Sequence, residues 1–244
     1  MTRFFNYVLI DNLSEIKIDT QNETMTIVNC LNPHSFVVAL KDERMRNALE
    51  MSDYLLPDGV GIGMVVRWYE KKRIDKIAGY DFHSFILEQL KLHGGKVYYM
   101  GSSEKVLKKI EERLSKEAPN VKVRTHSPSY CNELPEEESR KIIDDINEFS
   151  PDVLYISMTA PKQEKWLQRY RNELKGVKLA SSIGAAFEYY AGTKTRGPRW
   201  MIKMKMEWLA RLFMEPTKVW RRTFISTPKF LLWTAKHHKK IEVV

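Results

Sequence analysis

A doubly wound α/β domain with a mostly parallel, Rossmann-like sheet and a helical C-terminal appendage is the fold the sequence predicts, and three features predict it. Strand patterns alternate with helix patterns as far as about Gly192, the alternation that builds parallel sheets covered by helices. Two runs, Asp152 to Met158 and Val177 to Ile183, are apolar almost throughout, as strands buried on both faces are. Beyond Gly192 the strand patterns stop, and three helical segments separated by Pro198, Pro216 and Pro228 follow. The expected division is 1–192 for the α/β core and 193–244 for the appendage.

The elements follow in order. Phe4 to Ile10 and Met25 to Leu31 are apolar, β-branched strands, the second running into the loop Asn32-Pro33-His34-Ser35. Ser35 is suited to cap the next helix, where Phe36, Val37, Leu40 and Met45 recur at roughly helical spacing. Tyr54-Leu55-Leu56 is a short strand that stops at Pro57 and delivers Asp58. Gly59, Gly61 and Gly63 then lead into the apolar run Ile62 to Trp68, a helix ending near Lys71-Lys72-Arg73. Phe82, Phe85, Ile86 and Leu90 mark one face of a helix over Asp81 to His93, which Gly94-Gly95 stops. Lys96 to Met100 is a strand, Gly101-Ser102-Ser103 its loop, and a helix runs on through Leu114. Val121 to Thr125 precedes the acidic helix Glu136 to Phe149, and a helix from Pro161 to Leu174 lies between the two buried strands. In the tail, Met201, Met204, Trp208 and Leu212 form one stripe, Lys203, Glu207 and Arg211 gather opposite, and Lys205 interrupts the apolar side.

Composition narrows the class. With 244 residues, 43% apolar and 29% charged, the chain can bury a good core and is not a disordered polymer. The N-terminus turns polar too soon for a secretory signal, and no apolar run reaches the ~18 residues of a spanning helix. A cytoplasmic protein is expected, either free or peripheral on the inner face of the membrane. Cys30 and Cys131 supply neither a disulfide framework nor a thiolate metal set. Charge is unevenly placed: Ala191 to Val244 holds 13 Lys and Arg against 3 Asp and Glu, whereas the first 190 residues carry 27 against 28. Trp200, Trp208, Trp220 and Trp233 share that basic tail, a composition suited to anionic surfaces, whether lipid headgroups or nucleic acid.

Chemistry is expected at strand ends, where α/β sheets bind ligands. Asp58 is the first such group, a carboxylate that serves equally as a turn or N-cap residue. Met158-Thr159-Ala160-Pro161-Lys162-Gln163-Glu164 opens a helix whose N–H groups and Lys162 suit an anion, while Gln163 can donate to and accept from a sugar hydroxyl. A solvated first turn explains the same residues. Gly101-Ser102-Ser103 fits a phosphate cradle or a simple cap, and Glu188, after Gly184-Ala185-Ala186-Phe187, fits a ribose contact or a surface carboxylate. His34, His83, His93, His126, His237 and His238 lack metal-ligand spacing and are expected on surfaces or loops, so no metal and no cofactor are expected. Gly59-x-Gly61-x-Gly63 lacks the dinucleotide spacing, and no Walker loop, nucleophile elbow or Asp-x-Asp occurs. A diphosphate leaving group would then rest on Lys, Arg and backbone N–H groups.

Seven blocks in order, Asn32-Pro33-His34, Pro57-Asp58-Gly59, Ala78-Gly79-Tyr80-Asp81, Ala160-Pro161-Lys162-Gln163-Glu164, Gly184-Ala185-Ala186-Phe187, Ala191-Gly192-Thr193-Lys194 with Arg196 and Pro198, and Glu207-Trp208-x-x-Arg211-Leu212 with Glu215-Pro216, resemble the WecG/TagA/CpsF glycosyltransferases. The resemblance runs from about Met25 to Phe230. It implies a bacterial, metal-independent, inverting transferase moving a sugar from a UDP-sugar to a polyprenyl-diphosphate-linked saccharide in surface-polysaccharide synthesis. N-acetylmannosamine, its uronate, glucose and glucuronate are the donor sugars it leaves open. Asp58 matches the proposed general base and Gln163 a substrate contact. Asn32 and Lys162 fall in matched blocks as substrate-binding residues, and Tyr130 and Glu188 match nucleotide contacts. Arg211, Arg221 and Arg222 match arginines of an appendage that meets the membrane and closes the site. Cys30, Lys76 and Ala78 stand where teichoic-acid members have threonine, arginine and threonine, so Lys76 keeps the charge without the bidentate fork. The implied partners are the donor, the lipid-linked acceptor and an anionic membrane surface, not nucleic acid, with a homo-oligomer left open. Two rivals are a nucleic-acid-binding protein, resting on the basic tail, and an NAD-dependent epimerase, whose Tyr-x-x-x-Lys pair Tyr189 and Thr193 do not provide.

Overall fold

The computed structural model describes residues 1–16, 24–198, 200, 201, 204, 207–237 and 241–243. Its strands are β1 (Thr2–Phe4), β2 (Tyr7–Leu9), β3 (Thr26–Leu31), β4 (Tyr54–Pro57), β5 (Gly95–Gly101), β6 (Val121–His126), β7 (Val153–Ser157), β8 (Leu179–Ser182) and β9 (Ile241–Val243). They form one sheet in the order β6-β5-β7-β8-β3-β4-β2-β1-β9. Every pairing from β6 across to β2 is parallel, and β1 is antiparallel to both β2 and β9. The α/β sheet with covering helices is the one the alternation predicts.

The two-residue period of the strands divides the core between the faces. On β5 and β7, Val97, Tyr99, Val153 and Tyr155 join Phe82, Ile86 and Leu107 on one side. Tyr98, Met100, Leu154 and Ile156 join Ile142, Trp166 and Leu167 on the other. A third cluster, Phe4, Leu9, Phe36, Val65 and Phe230, closes the β1–β4 end. At the end of β5, a Cβ on Gly101 would stand 2.2 Å from the Ser157 carbonyl oxygen of β7, so only glycine lets the strands meet there.

Several boundaries differ from expectation. Phe4 to Ile10 is not one strand but the return of a hairpin, turned at Phe5 with φ +58°. The helix after Asn32 is two, α1 (Pro33–Ala39) and α2 (Glu43–Glu50), because the Asp42 side chain accepts from the Met45 N–H and starts a new helix. Asn32, not Ser35, caps α1: its Oδ1 accepts from the His34 and Ser35 N–H groups, and Ser35 Oγ accepts from the Asn32 N–H in return. The next helices are α3 (Val60–Glu70), α4 (Gly79–His93), α5 (Glu104–Glu117), α6 (Glu136–Phe149), α7 (Lys162–Tyr170) and α8 (Ala186–Tyr190), so α7 stops short of Leu174. His83 lies on α4 in the core rather than on a surface or loop, its Nε2 2.8 Å from the Tyr99 hydroxyl.

The tail folds as α9 (Glu207–Met214), α10 (Pro216–Trp220), a π-helical stretch (Arg221–Ser226) and α11 (Thr227–His237). Pro228 does not break it. The Thr227 N–H reaches back to the Arg222 carbonyl, and such a widened turn accommodates a proline lacking its own N–H. A strand also follows the helices, since β9 pairs with β1. Phe230, fully buried, lies 5.2 Å from Phe36 and 6.1 Å from Phe4 between ring centroids, and Trp233 packs on Phe5 and Phe36. Ala210 and Val219 are buried as well, whereas Trp200, Met204, Trp208, Phe213, Trp220 and Phe224 are exposed. Lys203, Lys205 and His238 lie outside the described residues.

Candidate active site

The C-terminal ends of β3, β4, β5, β7 and β8 open into a cleft of about 1730 Å³, which the tail borders from the other side. All eleven residues singled out as site candidates line it. Cys30 and Asn32 come from the end of β3, Asp58 from the end of β4, Lys162 and Gln163 from the start of α7, and Glu188 from the first turn of α8. Tyr130 and Lys76 stand on loops, Arg211 on α9, and Arg221 and Arg222 on the π-helical stretch.

Asp58 is held by its backbone, whose N–H donates to the Leu31 and Leu56 carbonyls at 2.9 and 2.8 Å. Gly59 takes φ +93° to turn the chain into α3. Gly61 lies so close to Pro33 that a Cβ would sit 2.7 Å from its Cγ, which fixes the start of α3 against α1. The Asp58 carboxylate makes no hydrogen bond among the described residues, although cations surround it. Burial raises its pKa above the ordinary value, Lys76 and Arg211 oppose that, and Glu207 and Asp81 add to it. An unpaired, partly desolvated carboxylate facing a cleft is a competent proton acceptor.

The cations are arranged on the tail side. Arg222 is pushed down by burial and by Arg211, while Asp58 and Glu164 hold it up. The Nε of Arg211 is buried without a partner among the described residues, and its guanidinium lies 5.9 Å from the Tyr189 ring centroid. His34 Nδ1 is 2.8 Å from Ser226 Oγ, tying α1 to the arginine stretch; burial and then Arg222 and Arg221 lower its pKa.

Other residues are committed inside the protein. Asn32 Oδ1 serves the α1 cap, leaving its amide nitrogen without a partner among the described residues. Gln163, 4% exposed, accepts from the Met158 N–H and donates to Glu164 Oε1 at 2.8 Å. Lys162 donates to the Cys131 carbonyl and lies 5.3 Å from the ring of the fully exposed Tyr130. The Cys30 thiol is pushed well up by burial and by the carboxylates of Asp58, Glu164 and Asp81. Glu188 Oε2 is buried with no partner among the described residues.

Two features escaped the sequence. Glu207, expected on the polar side of the tail stripe, is 5% exposed because it turns to the core. It accepts from Lys76 Nζ at 2.5 Å and from Arg196 Nε and Nη2 at 3.0 and 3.1 Å, while Arg196 also forks onto Asp81. Lys76 and Glu207 are 131 residues apart, so no local pattern announces their contact. Glu164 is the second: within its sequence block it looked like an ordinary first-turn acid, yet it is 2% exposed. Among the described residues, no group of three or more His, Cys, Asp and Glu could hold a metal ion.

The description of the Glycosyl transferase WecG/TagA/CpsF family matches residues 7–242. The chain belongs to this family. It is a glycosyltransferase, and its relatives are similar over nearly their whole length. The N-acetylglucosaminyldiphosphoundecaprenol N-acetyl-beta-D-mannosaminyltransferase of Bacillus subtilis (strain 168) is 29% identical over 94% of this chain and 86% of its own. The protein of the same name from Bacillus spizizenii is also 29% identical, over 90% and 82%, and that of Staphylococcus aureus (strain MW2) is 23% identical over 96% and 89%.

Proposed function

We propose that this WecG/TagA/CpsF member is an inverting transferase that moves a sugar from a UDP-sugar to a polyprenyl-diphosphate-linked saccharide in bacterial cell-wall polysaccharide synthesis. N-acetylmannosamine is the first donor to test, because the similar proteins carry that sugar in their names. The observation that carries the reading is the unpaired Asp58 carboxylate in a cleft that Arg211, Arg221 and Arg222 border. Asp58 takes the proton of the acceptor hydroxyl as its oxygen attacks the anomeric carbon. The C1–O bond to UDP breaks, and the arginines balance the charge that develops on the leaving diphosphate, the work a metal ion does elsewhere. A cleft of about 1730 Å³ exceeds the ~300–1,000 Å³ of a one-ligand pocket, which suits a donor and an acceptor together.

In this reading the segment 193–244 is an appendage that brings the core to its lipid-linked substrate at the inner face of the membrane. No helix among the described residues is long and apolar enough to cross one. Exposed Trp220 and Phe224, with ring centroids 4.4 Å apart, form an apolar step beside a cationic stretch, a pairing suited to anionic interfaces. Vesicle flotation should show binding that salt weakens and that the double variant Trp220→Ala, Phe224→Ala reduces; unaltered flotation of that variant refutes the assignment. For the reaction, the protein is incubated with UDP-linked N-acetylmannosamine, its uronate, glucose and glucuronate and a short-chain lipid-diphosphate acceptor, and the product is weighed. A mass gain of one sugar residue is expected. No gain with any donor sinks the transfer as written.

A further inference from the structure

Glu164 is a buried acid of the cleft for which base, diphosphate grip and fold leave no role. It sits in the first turn of α7, lines the cleft and is 2% exposed. One carboxylate oxygen, Oε1, accepts from Gln163 Nε2 at 2.8 Å. The other, Oε2, is buried without any hydrogen-bond partner among the described residues. Buried polar atoms are nearly always satisfied, and one that is not is costly, so an orphan acceptor at a ligand cleft needs an explanation. Glu164, in the first turn of α7, lines the same cleft as Asp58, Cys30 and Arg222, and its charge and that of Asp58 both act on Cys30 and on Arg222. The orphan oxygen therefore belongs to the cleft in which Asp58 would meet the acceptor hydroxyl.

We propose that Glu164 recognises the donor sugar, Oε2 accepting a hydrogen bond from a sugar hydroxyl while Gln163 positions the carboxylate. This rests on the transferase reading above and names the substrate class. Glu164 offers the cleft an acceptor oxygen that has no donor of its own among the described residues. A hexuronate would set a second carboxylate against that acceptor, whereas a neutral hexose or N-acetylhexosamine brings the hydroxyl donor that Glu164 lacks. In the free protein the hydrogen bond that Glu164 accepts comes from Gln163, and its charge acts besides on Arg222. Its role is thus a binding one, with Gln163 as the positioning residue behind it.

Full-length wild type, Glu164→Gln and Glu164→Ala are titrated calorimetrically with UDP, UDP-N-acetylmannosamine, UDP-glucose and UDP-glucuronate. Wild type should bind a neutral UDP-sugar at least tenfold more tightly than UDP-glucuronate. Both variants should lose tenfold or more toward the neutral UDP-sugar and stay within twofold for UDP. Glu164→Gln keeps an acceptor for Gln163 and the side-chain volume, so its ligand-free melting temperature should hold or rise. Unchanged UDP-sugar affinity, equal losses for UDP and UDP-sugar, a preference for UDP-glucuronate, or a lower melting temperature for Glu164→Gln would each overturn the proposal. Failure of wild type to bind UDP or any UDP-sugar removes the transferase reading itself, an outcome the variants cannot imitate.

Discussion

Glu207→Gln probes how the tail is joined to the core. With its oxygen in the place of Oε1 the amide retains an acceptor for Arg196 Nε, but its NH₂ then faces both Lys76 Nζ, at 2.5 Å from the present Oε2, and Arg196 Nη2, at 3.1 Å. Two donors meet where a carboxylate stood. Removing one partner of a buried pair costs about 3–5 kcal/mol, since the remaining charge stays desolvated. Here the Lys76 and Arg196 side chains are 21% and 14% exposed, and Arg196 keeps Asp81. Water can relieve part of the loss, so about 3 kcal/mol is expected, or roughly 6 to 12 °C in melting temperature for a chain of this size. Thermal unfolding followed by circular dichroism at neutral pH measures it. A shift under about 2 °C would refute the reasoning, because an anchor that costs nothing to cut is not holding the tail. Burial pushes the Glu207 carboxyl up, but hydrogen bonds from Arg196 and Lys76 more than offset this and hold it below its ordinary value of 4.5. A depressed folded-state pKa gives stability that is present above that value and lost as pH falls below it, so the wild-type advantage over Glu207→Gln should shrink on acidification.

Asp58→Asn should abolish turnover while UDP-sugar binding survives, and wild-type-like turnover would remove Asp58 from the chemistry. Because burial raises Asp58, the acid limb of kcat/KM should lie above the ordinary carboxylate range. Lys76→Met deletes a charge that lowers Asp58 and should move that limb to higher pH, whereas Glu207→Gln deletes one that raises it and should move the limb down. Identical limbs in all three proteins would dissociate the profile from Asp58. Phe230→Ala should cost about 3–5 kcal/mol in unfolding free energy, the range for an aromatic removed from a close-packed core; a loss under about 1 kcal/mol, read by urea titration, would mean that α11 is not part of the core.

Alternation of strand and helix patterns made the sheet legible because each strand carries its own periodicity and each turn its own punctuation. The same rule hid the hairpin at the N-terminus: Phe4 to Ile10 has no Gly or Pro, its turn is made by Phe5 at a positive φ together with Asn6, and that single turn-favouring residue is a weak mark in an otherwise apolar run. Ile241 to Val243 becomes a strand only because β1 offers an edge more than two hundred residues earlier, a pairing that local pattern cannot see. At the site, residues at strand ends could be found from position in the chain, and those positions do line one cleft. Missing were the side chains whose meaning depends on a distant partner. Glu207 on a helical wheel is a solvated acid, and Lys76 and Arg196 make it an internal one. Glu164 by its position in the chain is an ordinary first-turn acid, and only what the fold lays over it makes it a buried one.

The arginine-bearing segment is fastened at both ends. Before it, Arg196 and Glu207 are clamped to Asp81 and Lys76; after it, Ser226 meets His34 and Phe230 is sunk among Phe4 and Phe36. Arg211, Arg221 and Arg222 therefore ride on a strap whose course is settled when the chain folds. Three arginines on a loose tail would each lose about 0.5–1.5 kcal/mol of side-chain freedom on gripping an anion, in addition to the ordering of the backbone that carries them. Tethering removes the backbone share, leaving more of each contact to appear as affinity. Cutting either fastening, at Arg196 or at Phe230, should then weaken anion binding although neither side chain need touch the anion.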